Sequence, residues 1–123
     1  VHLPMSLVEM DVKRLVACLA AALLLSSCST VANRRDDPPS FTGLTTKSLA
    51  EFQTCFAAVT DKGQTPSYLP KANGGTYTFD LRGYVLWVVD IIDRGADRQV
   101  TVHEINSMWG KNTHTAKLVQ QCL

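Results

Sequence analysis

Apolar and polar positions divide the chain into three unequal stretches. Leu15 to Leu25 is an unbroken apolar run of eleven residues, preceded by Lys13 and Arg14 and followed by Ser26 and Ser27. Ser29 to Ser40 has one sizeable apolar residue, Val31, and no periodicity, and Pro38-Pro39 stiffens its far end. It reads as a flexible, solvated tether that reaches at most about 40 Å when fully extended. Arg34-Arg35 could touch anionic head groups, but Asp36-Asp37 cancel their charge nearby. From Phe41 to Leu123 apolar residues recur at regular intervals, which predicts one small folded domain over 41–123.

Within that domain the period changes twice. Ser48-Leu-Ala-Glu51 fits a capping box, and Leu49, Phe52, Cys55, Phe56 and Val59 follow at helical spacing, with Gly63 as the expected stop. Pro66 and Pro70 bracket a short extended piece at Tyr68-Leu69. Asn73-Gly74-Gly75 then signals a turn. Thr76 to Arg82 alternates, with Tyr77, Phe79 and Leu81 on one side, so a half-buried strand is expected. Tyr84 to Ile92 is a strongly apolar, β-branched run suited to a central strand. After Arg94-Gly95-Ala96-Asp97, a third strand runs from Gln99 to Ile105 with Val100 and Val102 inward. Thr115, Leu118, Val119 and Cys122 place a last helix beginning near Thr113. The expected class is α+β: an antiparallel sheet of three to four strands, with an N-terminal and a C-terminal helix packed on one face.

Charge adds an exclusion. The chain has 12 Lys and Arg against 11 Asp and Glu, a net +1. No basic field stands ready to neutralise phosphates, so nucleic acid is not an expected partner.

The apolar run is about half of a membrane span, which needs roughly 20 residues. A basic start, an apolar core and small residues are the layout of a secretory signal, and from Met10 the chain has it; Met10 fits the natural start better than Val1 or Met5 because Glu9 and Asp11 dilute the positive end. Leu25-Ser26-Ser27-Cys28 closes the run and resembles the lipobox of bacterial lipoprotein precursors. The resemblance covers residues 10–28. It implies cleavage of residues 1–27, lipidation (diacylglycerol and acyl chains such as palmitate) at Cys28, and a tether over 28–40. Ser29, where an aspartate would resemble an inner-membrane retention signal, implies the outer membrane with the domain in the periplasm. An uncleaved membrane anchor and an ordinary secretory signal are the alternatives.

If Cys18 leaves with the signal and Cys28 carries lipid, Cys55 and Cys122 remain as one pair, and a disulfide between them is expected in an oxidising compartment. The chain has no Gly-rich phosphate loop, no G-x-S-x-G and no C-x-x-C. No spacing argument brings His103 and His114 to a common metal, and no cofactor is expected. Asp90, Asp93 and Asp97 lack the calcium-loop pattern and read as turn chemistry. Ser48 and Thr113 read as helix caps.

The functional expectation is a non-enzymatic envelope lipoprotein that binds a protein partner or a second copy. An enzyme whose site forms only in three dimensions and a purely structural protein are the alternatives. The domain resembles small Gram-negative lipoproteins that end in a cysteine-bearing helix, a likeness with no activity attached. In a strand over 84–92, Val85, Trp87, Val89 and Ile91 share one face, and Tyr84, Leu86, Val88, Asp90 and Ile92 the other. Helices cover one face only, and Asp90 marks its side as open. Tyr84, Leu86, Val88 and Ile92 are then the candidate partner surface, unless a loop folds over them. Trp109, beside Gly110, is either packed on a helix end or an exposed anchor.

Overall fold

The computed structural model describes residues 5–25, 30–106 and 109–123; Cys28, and with it the lipidation expectation, lies outside them. Helix α1 (Met5–Leu25) carries the apolar run, and its side chains from Asp11 to Ala21 are all exposed. No helix among the described residues is long and apolar enough to cross a membrane.

The domain is α+β. Strands β1 (Phe41–Thr45), β2 (Ser67–Lys71), β3 (Gly74–Leu81), β4 (Tyr84–Asp93) and β5 (Arg98–Glu104) form one antiparallel sheet in the order β1-β5-β4-β3-β2. That is five strands rather than three or four. The added strand β1 lies at the edge beside β5, Phe41 opposite Val102 and Gly43 opposite Val100. A Cβ on Gly43 would stand 2.5 Å from the Phe41 ring and 3.1 Å from Leu123 Cδ1, so only glycine lets those side chains cover the edge. This inward glycine also erases the alternation that would have announced the strand.

Helices α3 (Leu49–Val59) and α4 (His114–Gln120) pack on one face, as expected. Phe52, Phe56, Val119 and Cys122 meet Tyr77, Trp87, Val89, Ile91, Val100 and Val102 there. The Phe56 ring lies edge-on to Tyr77 and Trp87 at 4.8 and 5.9 Å between centroids. The Cys55–Cys122 disulfide joins α3 to the turn just past α4 across 67 residues of sequence. Ser48 Oγ accepts the Glu51 N–H at 3.1 Å, the expected cap. α3 stops short of Gly63, because Thr60 already turns to extended backbone at φ −60° and ψ 139°.

The second cap is a correction. Thr113 stands at the N-cap position of α4 but makes no side-chain capping bond. Buried Glu104, at the end of β5, does that work from outside the helix. Its carboxylate accepts the N–H groups of Thr115 at 2.7 Å and Ala116 at 3.2 Å, and the Ser40 hydroxyl at 2.6 Å. A carboxylate satisfies orphan N–H groups and favours the positive helix end at once.

The tether expectation also fails. Residues Val31–Asp36 form a further helix, α2, capped by the Thr30 side chain and lying on the sheet face opposite α3 and α4. The sheet is therefore covered on both faces, not one. Six residues are too few to show a helical period, and what docks α2 is mostly polar.

Candidate functional site

The site is built where α2 crosses the sheet. Arg34 is buried, and its Nε donates to the Val85 carbonyl at 3.0 Å. Its Nη1 holds Asp37 Oδ2 at 2.9 Å, and its guanidinium carbon lies 5.8 Å from the Tyr84 ring centroid. Arg35 turns the other way. Its Nε and Nη2 donate to the two oxygens of Asp90 at 2.8 and 2.6 Å, a bidentate pair. Thr76 Oγ1 donates to the same carboxylate at 2.7 Å. The far end of the helix is fixed by contact between His103 Nδ1 and the Asp37 carbonyl at 3.0 Å.

Beside this ion pair opens a groove of about 540 Å³. Its lining includes Arg35, Lys71, Thr76, Asp90, Ile92 and Thr101. Gly74 and Gly75 sit in the β2–β3 hairpin, where side chains would collide with the Ile91 carbonyl and the Tyr68 ring. Burial alone would raise the Asp90 pKa, but the hydrogen bonds from Arg35 and Thr76 and the charges of Arg35 and Lys71 outweigh it and hold the carboxyl below its ordinary value. The hydrogen bond to Asp90 raises Arg35 against the opposing effect of burial.

The five partner-surface candidates separate. Val88 is fully buried, and neighbouring His103 is nearly so, beneath α2. Leu86 packs against the helix-side core, because the β3–β4 register shifts between Phe79 and Asp80: Phe79 faces Trp87 while Asp80 faces Val85. One extra residue in a strand reverses the side-chain alternation beyond it. Val88 is therefore interior and Leu86 a half-buried position on the helix side, so neither belongs to an open face opposite the helices. Tyr84 at 39 %, Ile92 at 49 % and Trp109 at 92 % accessible remain on the surface. Ile92 borders the groove; Tyr84 and Trp109 belong to the opposite end of the sheet.

The remaining candidates scatter. His114 Nε2 meets Asp61 Oδ2 at 2.6 Å on the surface, whereas His103 Nδ1 contacts the Asp37 carbonyl. Among the described residues no three His, Cys, Asp or Glu side chains gather as a metal site. Asp93 Oδ1 accepts the Gly95 N–H at 2.9 Å, and Asp97 pairs with Arg94. Arg35 and Thr76, the residues that define the groove, went unrecognised in the sequence. The available signal was Asp90 itself, since a carboxylate inside a β-branched run needs a cation or donors. Comparison with known proteins yields no matching family model, no matching curated protein and no matching solved structure.

Proposed function

We propose that the chain is a bacterial lipoprotein, cut before Cys28 and lipidated there, whose domain is a binding module for an envelope protein at the outer membrane. The observation that carries this reading is the division of burial. Among residues with described burial, every buried one lies at or beyond Arg34, while α1 is exposed from Asp11 to Ala21. A segment whose described side chains are all exposed suits a signal that is cleaved away. The disulfide suits an oxidising compartment.

Binding is favoured over catalysis by the state of the groove. Asp90 has both oxygens engaged and its pKa held down, which makes it a poor proton acceptor near neutrality. Ile92 at the rim, with Leu69 exposed on β2, offers apolar contacts beside the cations Arg35 and Lys71. An apolar anchor with charged neighbours is the composition of a protein-docking patch. A photo-crosslinking residue at Ile92 in living cells should give one discrete crosslinked product, absent when the probe replaces exposed Lys62. Equal, diffuse labelling at both positions would refute the assignment.

A further inference from the structure

We infer that the end of the sheet carrying Leu81, Tyr84 and Trp109 rests in the head-group region of the bilayer that anchors the chain. This rests on lipidation of Cys28. The first ground is the length of free chain. α2 begins at Val31 and is fastened to the sheet through Arg34 and Arg35. The three residue steps from Cys28 to Val31 reach at most about 10 Å. A docked α2 thus removes the slack that a twelve-residue tether would have given. The domain must lie against the membrane, and some part of its surface must touch lipid.

The second ground is which part suits that contact. The β3–β4 turn presents Leu81 at 58 % and Tyr84 at 39 % exposure, with Arg82 between them. β5 ends at Glu104 opposite Trp87, and Ile105 donates to the Leu86 carbonyl, so the loop carrying Trp109 leaves the sheet at this same end. Trp109 is 92 % exposed and is followed at 111 by an exposed lysine. Tryptophan and tyrosine prefer the membrane–water interface, where an apolar ring and a polar edge are both accommodated, and arginine and lysine reach head-group phosphates. The acidic residues at this end are exposed Asp80, Asp37 paired with Arg34, and buried Glu104, whose carboxylate is taken up by α4. Arg34 ties α2 to this end of the sheet, since its Nε donates to the Val85 carbonyl and its guanidinium lies 5.8 Å from the Tyr84 ring centroid.

The molecule carries its own probe, because its two tryptophans differ: Trp87 is 5 % exposed and Trp109 is 92 % exposed. Full-length protein matured in bacteria would be purified in detergent and reconstituted into phosphatidylcholine–phosphatidylglycerol vesicles, with or without brominated acyl chains. Intact mass reports lipid on Cys28 in the same sample. The expected result is lipidated protein whose fluorescence falls by about half in brominated vesicles, with Trp109→Phe abolishing most of that loss. Lipidated protein with no quenching, or with quenching that survives Trp109→Phe, overturns the seating and leaves the anchor standing. Protein in the vesicles without lipid on Cys28 overturns the anchor and the seating together.

Discussion

Replacing Arg35 by alanine tests whether residues 31–36 belong to the fold. The pair with Asp90 is bidentate, at 2.8 and 2.6 Å, and its side chains are 35 % and 20 % exposed. A solvent-exposed ion pair contributes about 0–1 kcal/mol. Breaking a buried one costs about 3–5 kcal/mol, because a charge is left without its partner. This pair is partly screened, and Thr76 still donates to Asp90 after the change, so about 2 kcal/mol is expected between those limits. For a domain of this size that lowers the Tm by roughly 10 °C. Thermal unfolding followed by circular dichroism measures it. In a double-mutant cycle with Asp90→Ala, the two losses should fall short of additivity by about 1 kcal/mol or more. If Arg35→Ala leaves Tm within about 1 °C, a change corresponding to a few tenths of a kcal/mol, α2 is not fastened to the sheet and the segment is a free spacer after all.

Four further outcomes follow from the same contacts. Val88→Lys would place an ammonium in a fully buried site and should unfold the domain or cost about 3 kcal/mol or more, whereas Ile92→Lys should change stability by less than about 0.5 kcal/mol; chemical denaturation compares them. Reducing Cys55–Cys122, or replacing both residues by alanine, should cost about 2–4 kcal/mol, since a loop of 67 residues is closed; urea midpoints with and without reductant report it. Because the folded Asp90 pKa lies below its unfolded value, its stabilisation is fully present above the ordinary carboxylate range of about 4 and is lost as pH falls through the folded value, so Asp90→Asn should flatten the acid limb of a Tm–pH profile. Glu104→Gln removes a charge from a helix N-terminus and should lower stability by about 1–2 kcal/mol, with α4 amides exchanging faster by hydrogen-exchange mass spectrometry.

The parts of the fold that were legible share a property: their signal is local. Ser48 and Glu51 announce α3 within four residues, and the strands from Thr76 to Glu104 announce themselves by β-branched runs between glycine-bearing turns. Cys55 lies on α3 and buried Cys122 in the turn just past α4, so their meeting follows once both helices share a face. What stayed hidden is long-range or depends on one residue. α2 is held by arginines that meet a carbonyl and a carboxylate some fifty residues away, and nothing in Val-Ala-Asn-Arg-Arg-Asp reveals those partners. β1 turns Gly43 inward and leaves Leu44 at 52 % exposure, the reverse of an apolar alternation. The extra residue at the β3–β4 shift sends Leu86 to the helix side, which a strict period of two assigns to the other face. The cap of α4 comes from Glu104, eleven residues before the N–H it accepts, so a local reading settles on Thr113.

The groove was half visible. In the sequence Asp90 is a charge in an apolar strand, which marks its side as the open face. The same carboxylate is what holds α2 over that face, through Arg35. The exposed apolar surface therefore lies away from Val88, at the two ends of the sheet, with Ile92 at one and Tyr84 and Trp109 at the other.

Lipidation of Cys28 underlies the proposed location, the proposed function and the seating at the bilayer. Mass spectrometry of the protein isolated from bacterial membranes tests it most directly. The account predicts a mature chain that begins at Cys28 and carries diacylglycerol on sulfur with an acyl chain on the new amino group, and it predicts that Cys28→Ala abolishes the modification. A chain that retains residues before Cys28, or one that begins beyond it without lipid, contradicts the account.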